Sequence, residues 1–260
     1  MLLNAVIIIL REVIEASLII SLFLAFSQLT HHDRPWILKA LLLGITSASI
    51  YAINIGSVSQ WFDGVGQEVV NAIIQIIIYL VLLIFLITAM RPQTAFNKSL
   101  LTAMMMIGVT FATVREGSEI IIYIHGFVAV PDLLKSVLLG SAIGAGIGIS
   151  IGVCIYYLLI NMPFNISVRV GYVLTVLLAG SMISQTIQQL TQADWIIGQY
   201  PIWDTSLWLS EHSVTGQLLY AVIGYEATPT VIQVTAYLSA LALIILSSGY
   251  AWFHQKRLHK

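Results

Sequence analysis

The stretch Ala5-Val6-Ile7-Ile8-Ile9-Leu10-Arg11-Glu12-Val13-Ile14-Glu15-Ala16-Ser17-Leu18-Ile19-Ile20 decides how this chain is read. It is apolar on both sides of an Arg-Glu-x-x-Glu cluster, and about 20 apolar residues are enough to cross a bilayer as a helix. On insertion scales a charge at the helix centre costs roughly 2.5–3.5 kcal/mol, so three charges facing lipid independently would cost on the order of 8 kcal/mol. The cluster must therefore face protein, a watery path, or itself. A second copy, Arg115-Glu116-Gly117-Ser118-Glu119, stands in the fourth apolar segment.

The rest of the composition agrees with a membrane setting. Of 260 residues, 58% are hydrophobic and 9% charged, with a mean hydropathy of +0.93; a soluble domain carries about a quarter charged residues. The apolar runs predict an all-α membrane protein of seven transmembrane helices, at roughly 2–27, 37–57, 69–90, 99–128, 133–160, 168–190 and 231–253. The first run has no basic n-region and no small-residue cleavage pattern, so it reads as a retained helix rather than a signal peptide. The single Cys154 excludes an intrachain disulfide and a thiolate metal cluster. A formal net charge of −1 gives no basic surface for nucleic acid.

Outside the motifs, basic residues divide eight to one across the predicted spans. Arg34, Lys39, Arg91, Lys98, Arg169, Lys256, Arg257 and Lys260 fall on one side and Lys135 on the other, which by the positive-inside rule gives N-terminus out and C-terminus in. The first and fourth spans are then antiparallel, with the motifs at corresponding places in two three-helix units. Repeat one covers about 1–90, repeat two about 99–190, an outer loop about 191–230 and a last helix about 231–253, all in one permease-like domain. A 3+3 inverted repeat plus one extra helix is a transporter pattern with its site near the midplane. Glu119 is expected toward the outside and Glu15 toward the cytoplasm, so that a ligand passes between carboxylate pairs.

Within each motif the arginine and both glutamates share one broad helix face, at separations of three and four. The arginine favours ionised carboxylates against the effect of burial, leaving each motif one negative charge. Glu12, Glu15, Glu116 and Glu119 are the expected ligands, and Arg11 and Arg115 hold them by charge-assisted hydrogen bonds. Carboxylate oxygens suit hard cations such as Fe3+, Mg2+, Ca2+ or Mn2+. Buried structural ion pairs are the plainer reading, but a second, repeat-related copy exceeds what packing requires.

Acidic residues outside the motifs are as lopsided as the basic ones. Asp63, Glu68, Asp132, Asp194, Asp204, Glu211 and Glu226 fall outside and Asp33 alone inside, so Glu68, Glu211, Asp63 and Glu226 are expected to recruit cations. Tyr123, one turn beyond Glu119, is an expected neighbour of the ligands. Gly140, Gly144, Gly148 and Gly152 form a stripe for close helix approach. Consecutive Met104, Met105 and Met106 fan around their helix and read as core filling rather than a copper path. His125 reads as an interfacial residue. The loop of 191–230 holds Trp195, Trp203 and Trp208 but neither Lys nor Arg, and its stretch from Leu207 to Tyr220 reads as an interfacial or re-entrant helix.

With these residues in hand, the chain resembles the oxidase-dependent iron transporter family, the high-affinity iron permeases of fungi and their bacterial relatives. The resemblance covers essentially the whole chain. It rests on the two motifs in the first and fourth spans and on Trp208-Leu209-Ser210-Glu211-His212-Ser213-Val214-Thr215-Gly216 followed by Gly224-Tyr225-Glu226-Ala227-Thr228-Pro229, which is similar to the family's His-Ser...Gly...Gly-Tyr...Pro pattern. It implies a multi-pass permease of the cytoplasmic (inner) membrane, not an enzyme, with iron as transported substrate and no permanently bound cofactor. It also implies an outer-face partner, an iron oxidase or iron-delivery protein that converts Fe2+ to Fe3+. His212 joins Tyr123 among the expected neighbours of the ligands. The chain departs from the pattern at Val13, where relatives often have Gly, and at Asn71, near a place where some carry a second acid after Glu68. Three alternatives remain on sequence grounds: a permease for another cation such as Mn2+ or Pb2+, a non-transporting assembly subunit that docks an outer oxidase through the Trp-rich loop, and a membrane-embedded carboxylate metalloenzyme. Against the last, the spans lack the Glu-x-x-His pair of helical di-iron sites.

Overall fold

The computed structural model describes residues 1–30, 35–91, 94–211 and 213–258, with side chains described through Phe253. Asp33, Arg34 and His212, and the side chains of Lys256, Arg257 and Lys260, lie outside what is described. The described residues form α1 (Leu2–Leu29), α2 (Pro35–Ile53), the short α3 (Ile55–Val58), a 3-10 turn (Trp61–Gly64), α4 (Gly66–Ala89), α5 (Ala95–His125), α6 (Pro131–Asn161), α7 (Phe164–Gln192), α8 (Val214–Ile223) and α9 (Val231–Leu258). Six of these, α2, α4, α5, α6, α7 and α9, are long and apolar enough to cross a membrane. At 28 residues α1 is as long as they are, and Arg11, Glu12 and Glu15 set it apart.

Local chemistry explains several ends. Thr94 caps α5 by accepting from the Asn97 N–H at 3.2 Å, and Pro131 opens α6, where its missing N–H has no cost. Ser213 caps α8 through the Gly216 N–H at 3.0 Å, and Gly224 ends it in the left-handed conformation, φ +67°.

The long helices interlock across the two halves. α1 packs along α6 and α2 along α5, while α4 pairs with α7 and α1 also meets α5. Exchanging the first three long helices for the next three leaves this set of pairings unchanged. Small residues make both crossed pairings possible. A Cβ on Gly144 would lie 2.6 Å from the Val6 carbonyl oxygen, and one on Gly152 would lie 2.7 Å from Ser17 Cβ. Ser17 and Ser21 donate from their hydroxyls to the carbonyls of Gly148 and Gly152 at 3.2 and 2.7 Å. The expected glycine stripe is thus a packing seam for α1. Its counterpart on α2 was not foreseen: Ala40, Gly44, Ala48 and Ala52 are buried at the same spacing of four. Thr110 Oγ1 of α5 donates to the Ala40 carbonyl at 3.3 Å.

α9 lies on α7 and α4, and α8 on α7 and α1. Met105 is fully buried and Met104 and Met106 pack against the core, as core filling predicts. His125 is exposed at the last residue of α5. Below the motifs, Phe85 meets Phe23 and Phe26 edge-on, each at a centroid distance of 4.8 Å. A cavity of about 290 Å³ lined by Leu22, Phe26, Phe85, Leu159 and Tyr172 lies at the end where α1 finishes and α7 begins.

Candidate cation site

Residues from α1, α4, α5 and α7 surround a second cavity at the opposite end, where α1 and α4 begin and α5 and α7 finish. It measures about 360 Å³, and Glu12, Glu68, Asn71, Glu119, Tyr123 and Gln189 are among its lining residues. α1 and α5 therefore run antiparallel, and their motifs meet at the floor of this cleft.

Ligand oxygens of Glu12, Glu116 and Glu119 all lie within 4.8 Å of one another. An ion bonded to oxygens at about 2.0–2.6 Å holds them up to about 4–5 Å apart, so the spread suits a single cation. Glu12 Oε2 and Glu116 Oε2 are buried and accept no hydrogen bond from any described group. A buried anionic oxygen without a partner costs free energy that a cation would recover. Asn71 Nδ2 donates to Glu119 Oε1 at 3.3 Å, orienting the carboxylate nearest the opening.

Glu15 is placed differently. Arg115 Nη1 donates to Glu15 Oε2 at 2.9 Å and to Glu116 Oε1 at 2.7 Å. Arg11 Nε reaches Glu15 Oε1 at 3.3 Å, and Gln185 Nε2 donates to Glu15 Oε2 at 3.2 Å. Arg115 Nε lies 3.8 Å from Glu119 Oε1, an ion pair without a hydrogen bond. The two expected carboxylate pairs are therefore not equivalently placed. Three donors converge on Glu15, so its oxygens are engaged, while Glu12 joins the motif of the other helix.

The arginines also differ. The Arg115 side chain is 3% exposed and tied to carboxylates, whereas that of Arg11 is 30% exposed. The Arg11 guanidinium sits 4.0 Å above the ring of Tyr220 on α8, a cation–π contact. The Tyr220 hydroxyl donates to Gln188 Oε1 at 3.2 Å.

Of the residues expected to recruit cations, Glu68 lines the cleft and the other three do not. Asp63 is exposed on the turn before α4 with φ +64°. The Glu211 carboxylate accepts the Ala227 N–H, and the Glu211 carbonyl accepts from Gln217 Nε2 at 2.8 Å. Glu211 therefore ties the loop together. Glu226 is half-buried beyond α8, where burial pushes its carboxyl above the ordinary range. Tyr123 does line the cleft beside Glu119.

The late sequence pattern supplies the joints of this loop. Gly216 leaves no room for a Cβ beside the Ser210 carbonyl, and the Tyr225 hydroxyl donates to the Leu209 carbonyl at 3.0 Å. Pro229 O accepts from the Ile202 N–H at 2.9 Å. The helix expected in the loop is α8, folded against α7 and α1.

The model of the iron permease FTR1 family matches residues 2–259, nearly the whole chain. The chain belongs to this family. No curated protein and no solved structure gives a significant match. The family is one of permeases, transporters rather than enzymes, and with six helices apolar enough to cross a bilayer the chain is a multi-pass membrane protein.

Sequence reasoning missed the buried amides Gln75 and Gln185 and the role of Tyr220. Gln75 Nε2 donates to Gln185 Oε1 at 2.9 Å, joining α4 to α7 and to Glu15 beyond. Amides in otherwise apolar spans were the available signal, since such groups are kept only with partners.

Proposed function

We propose that this chain carries iron across the cytoplasmic membrane through the site formed by Glu12, Glu116 and Glu119. In this reading α1 is a seventh span, the N-terminus lies outside, and the two groups of three helices form an inverted repeat. The exposed Lys39, Arg91, Lys98 and Arg169 at one end of the bundle, and the cleft with Glu68 at the other, support that orientation. An outer oxidase or delivery protein hands iron to the mouth at Glu68. The ion then descends to the three carboxylates, shedding water as their oxygens replace it.

The observation that carries the reading is the three-carboxylate set, within 4.8 Å, with unpaired oxygens on Glu12 and Glu116. Arg115 offsets part of the negative charge, so the site holds a multivalent cation without trapping it. The Phe23–Phe85–Phe26 cluster and its apolar surroundings oppose passage of a hydrated ion at the other end, which supports an outward-facing reading of this form.

Uptake of radioactive iron into proteoliposomes containing only this chain tests the proposal, with Fe2+ and Fe3+ supplied separately. Wild type is expected to accumulate iron and a Glu116→Gln, Glu119→Gln double variant, correctly inserted, to accumulate none. Equal uptake by both contradicts the assignment.

A further inference from the structure

The three-carboxylate site leaves the next step inward unassigned. About one turn beyond Glu12 on α1 stands Glu15, and behind Glu15 are the amides of Gln185 and Gln75. Gln75 and Gln185 are 0% and 2% exposed and occupy the two central helices that pair with each other, α4 and α7. They form a directed chain: Gln75 Nε2 donates to Gln185 Oε1, and Gln185 Nε2 donates to Glu15 Oε2. One atom is left over. Gln75 Oε1, fully buried, accepts no hydrogen bond from any described group.

A carboxamide has a donor end and an acceptor end of nearly the same shape. Turning both amides by about 180° about their terminal bonds, whose torsional preferences are broad, reverses the chain at little steric cost. Gln185 Nε2 would then donate to Gln75 Oε1, the atom now unpaired, and Gln185 Oε1 would face Glu15. The reversed chain keeps the amide–amide hydrogen bond. It exchanges a donor on Glu15 for a carbonyl that suits a hard cation lying between Gln185 and Glu15. The unpaired Gln75 oxygen is the acceptor that the reversed state needs.

Resting on the permease reading above, we propose that Glu15 and Gln185 form a second cation station. Gln185 is a cation-binding residue there, and Gln75 is a positioning residue that makes the Gln185 amide reversible. At rest the pair holds Glu15 ready with its donor; as the ion arrives from Glu12, Glu116 and Glu119, the amides turn and a carboxylate and a carbonyl receive it. Arg115 is released to Glu116 as the ion takes its place on Glu15.

The test is the initial rate of radioactive Fe2+ uptake, under anaerobic conditions and over a range of concentrations, into proteoliposomes. It compares wild type, Gln75→Met, Gln75→Glu and a Glu12→Gln, Glu116→Gln double variant. Iron binding to each purified protein is measured alongside. Methionine matches glutamine in length but offers no acceptor, so Gln75→Met is expected to lower the maximal rate on the order of tenfold, the cost of one lost hydrogen bond. Its KM and its equilibrium iron affinity should stay within about twofold of wild type, because the outer carboxylates are untouched. A glutamate at position 75 still accepts from Gln185, so Gln75→Glu is expected to recover most of the rate. A purely structural ladder predicts the reverse order, since a buried acid is a worse core residue than methionine. A wild-type rate in Gln75→Met, or a Gln75→Glu no faster than Gln75→Met with both inserted and binding iron, overturns the second station. Absence of wild-type uptake, or uptake by the Glu12→Gln, Glu116→Gln variant, overturns the permease reading on which it rests.

Discussion

The two Arg-Glu-x-x-Glu motifs have the same pattern and meet on antiparallel helices, yet their surroundings are opposite. In the α5 motif the arginine is buried among Glu15, Glu116 and Glu119, and the last glutamate opens to the cleft with 27% of its side chain exposed. In the α1 motif the arginine opens toward α8 and the last glutamate is buried at 1% exposure among three donors. A shared sequence has therefore produced a Glu15 held by three donors and a Glu119 open to the cleft. Under the proposed inverted repeat this asymmetry would have a direct meaning: exchanging the surroundings of the two motifs would bury Glu119 and open Glu15 toward the opposite side.

The largest way to break this contrast is at the arginines. Arg115→Met strands the buried Glu116 carboxylate and takes one of three donors from Glu15, and is expected to destabilise the protein by about 3–5 kcal/mol. Arg11→Met loses one ion pair and one ring contact, costing about 1 kcal/mol. Thermal unfolding in detergent ranks the pair, and equal losses would mean that the two environments are not distinct.

The next contrast lies between the helix seams and an open helix face. At Gly144 a Cβ would lie 2.6 Å from the Val6 carbonyl oxygen, and at Gly44 2.6 Å from Thr113 Cβ, an atom fixed to the backbone, with the Thr110 carbonyl oxygen at 3.2 Å. Gly144→Ala and Gly44→Ala should each cost about 1–3 kcal/mol, while Gly146→Ala, with nothing within 4 Å, should be neutral or slightly stabilising. The same unfolding assay checks the order.

Smaller effects sharpen the picture at the cleft. Glu68→Gln is expected to raise the KM for iron uptake several-fold while sparing the maximal rate, because Glu68 lines the mouth and stands outside the three-carboxylate set. Glu211→Ala acts instead on the loop: it removes the acceptor of the Ala227 N–H, so stability falls and KM stays. Smallest of all, Tyr220→Phe keeps the ring beneath Arg11 and loses the bond to Gln188, so its stability should lie within about 1 kcal/mol of wild type.

Much of this was legible in the sequence. Apolar runs announced the long helices, and the charge clusters inside two of them announced the residues that meet at the floor of the cleft, because charge in lipid has few explanations. The four glycines of α6 announced a close helix crossing. The partition of the carboxylates was not legible, since spacing shows which side chains share a helix face and says nothing about which neighbours reach them. Gln185 and Tyr220, on α7 and α8, decide the environments of Glu15 and Arg11 from far along the chain. The α2 seam escaped notice because three of its four small residues are alanine, ordinary in any apolar helix. Glu211 and Glu226 counted correctly as loop acids, yet composition carries no sign that one would close the loop through a backbone amide.

The central claim is that Glu12, Glu116 and Glu119 hold the cation while Glu15 anchors the arginines. Anaerobic Fe2+ binding to the purified chain in nanodiscs tests it most directly, comparing Glu12→Gln with Glu15→Gln. The account predicts one saturable site that is lost, or weakened at least tenfold, in Glu12→Gln and kept within about threefold in Glu15→Gln, where glutamine still accepts from Arg115. Equal loss in the two variants, or a greater loss in Glu15→Gln with the protein folded, would contradict it.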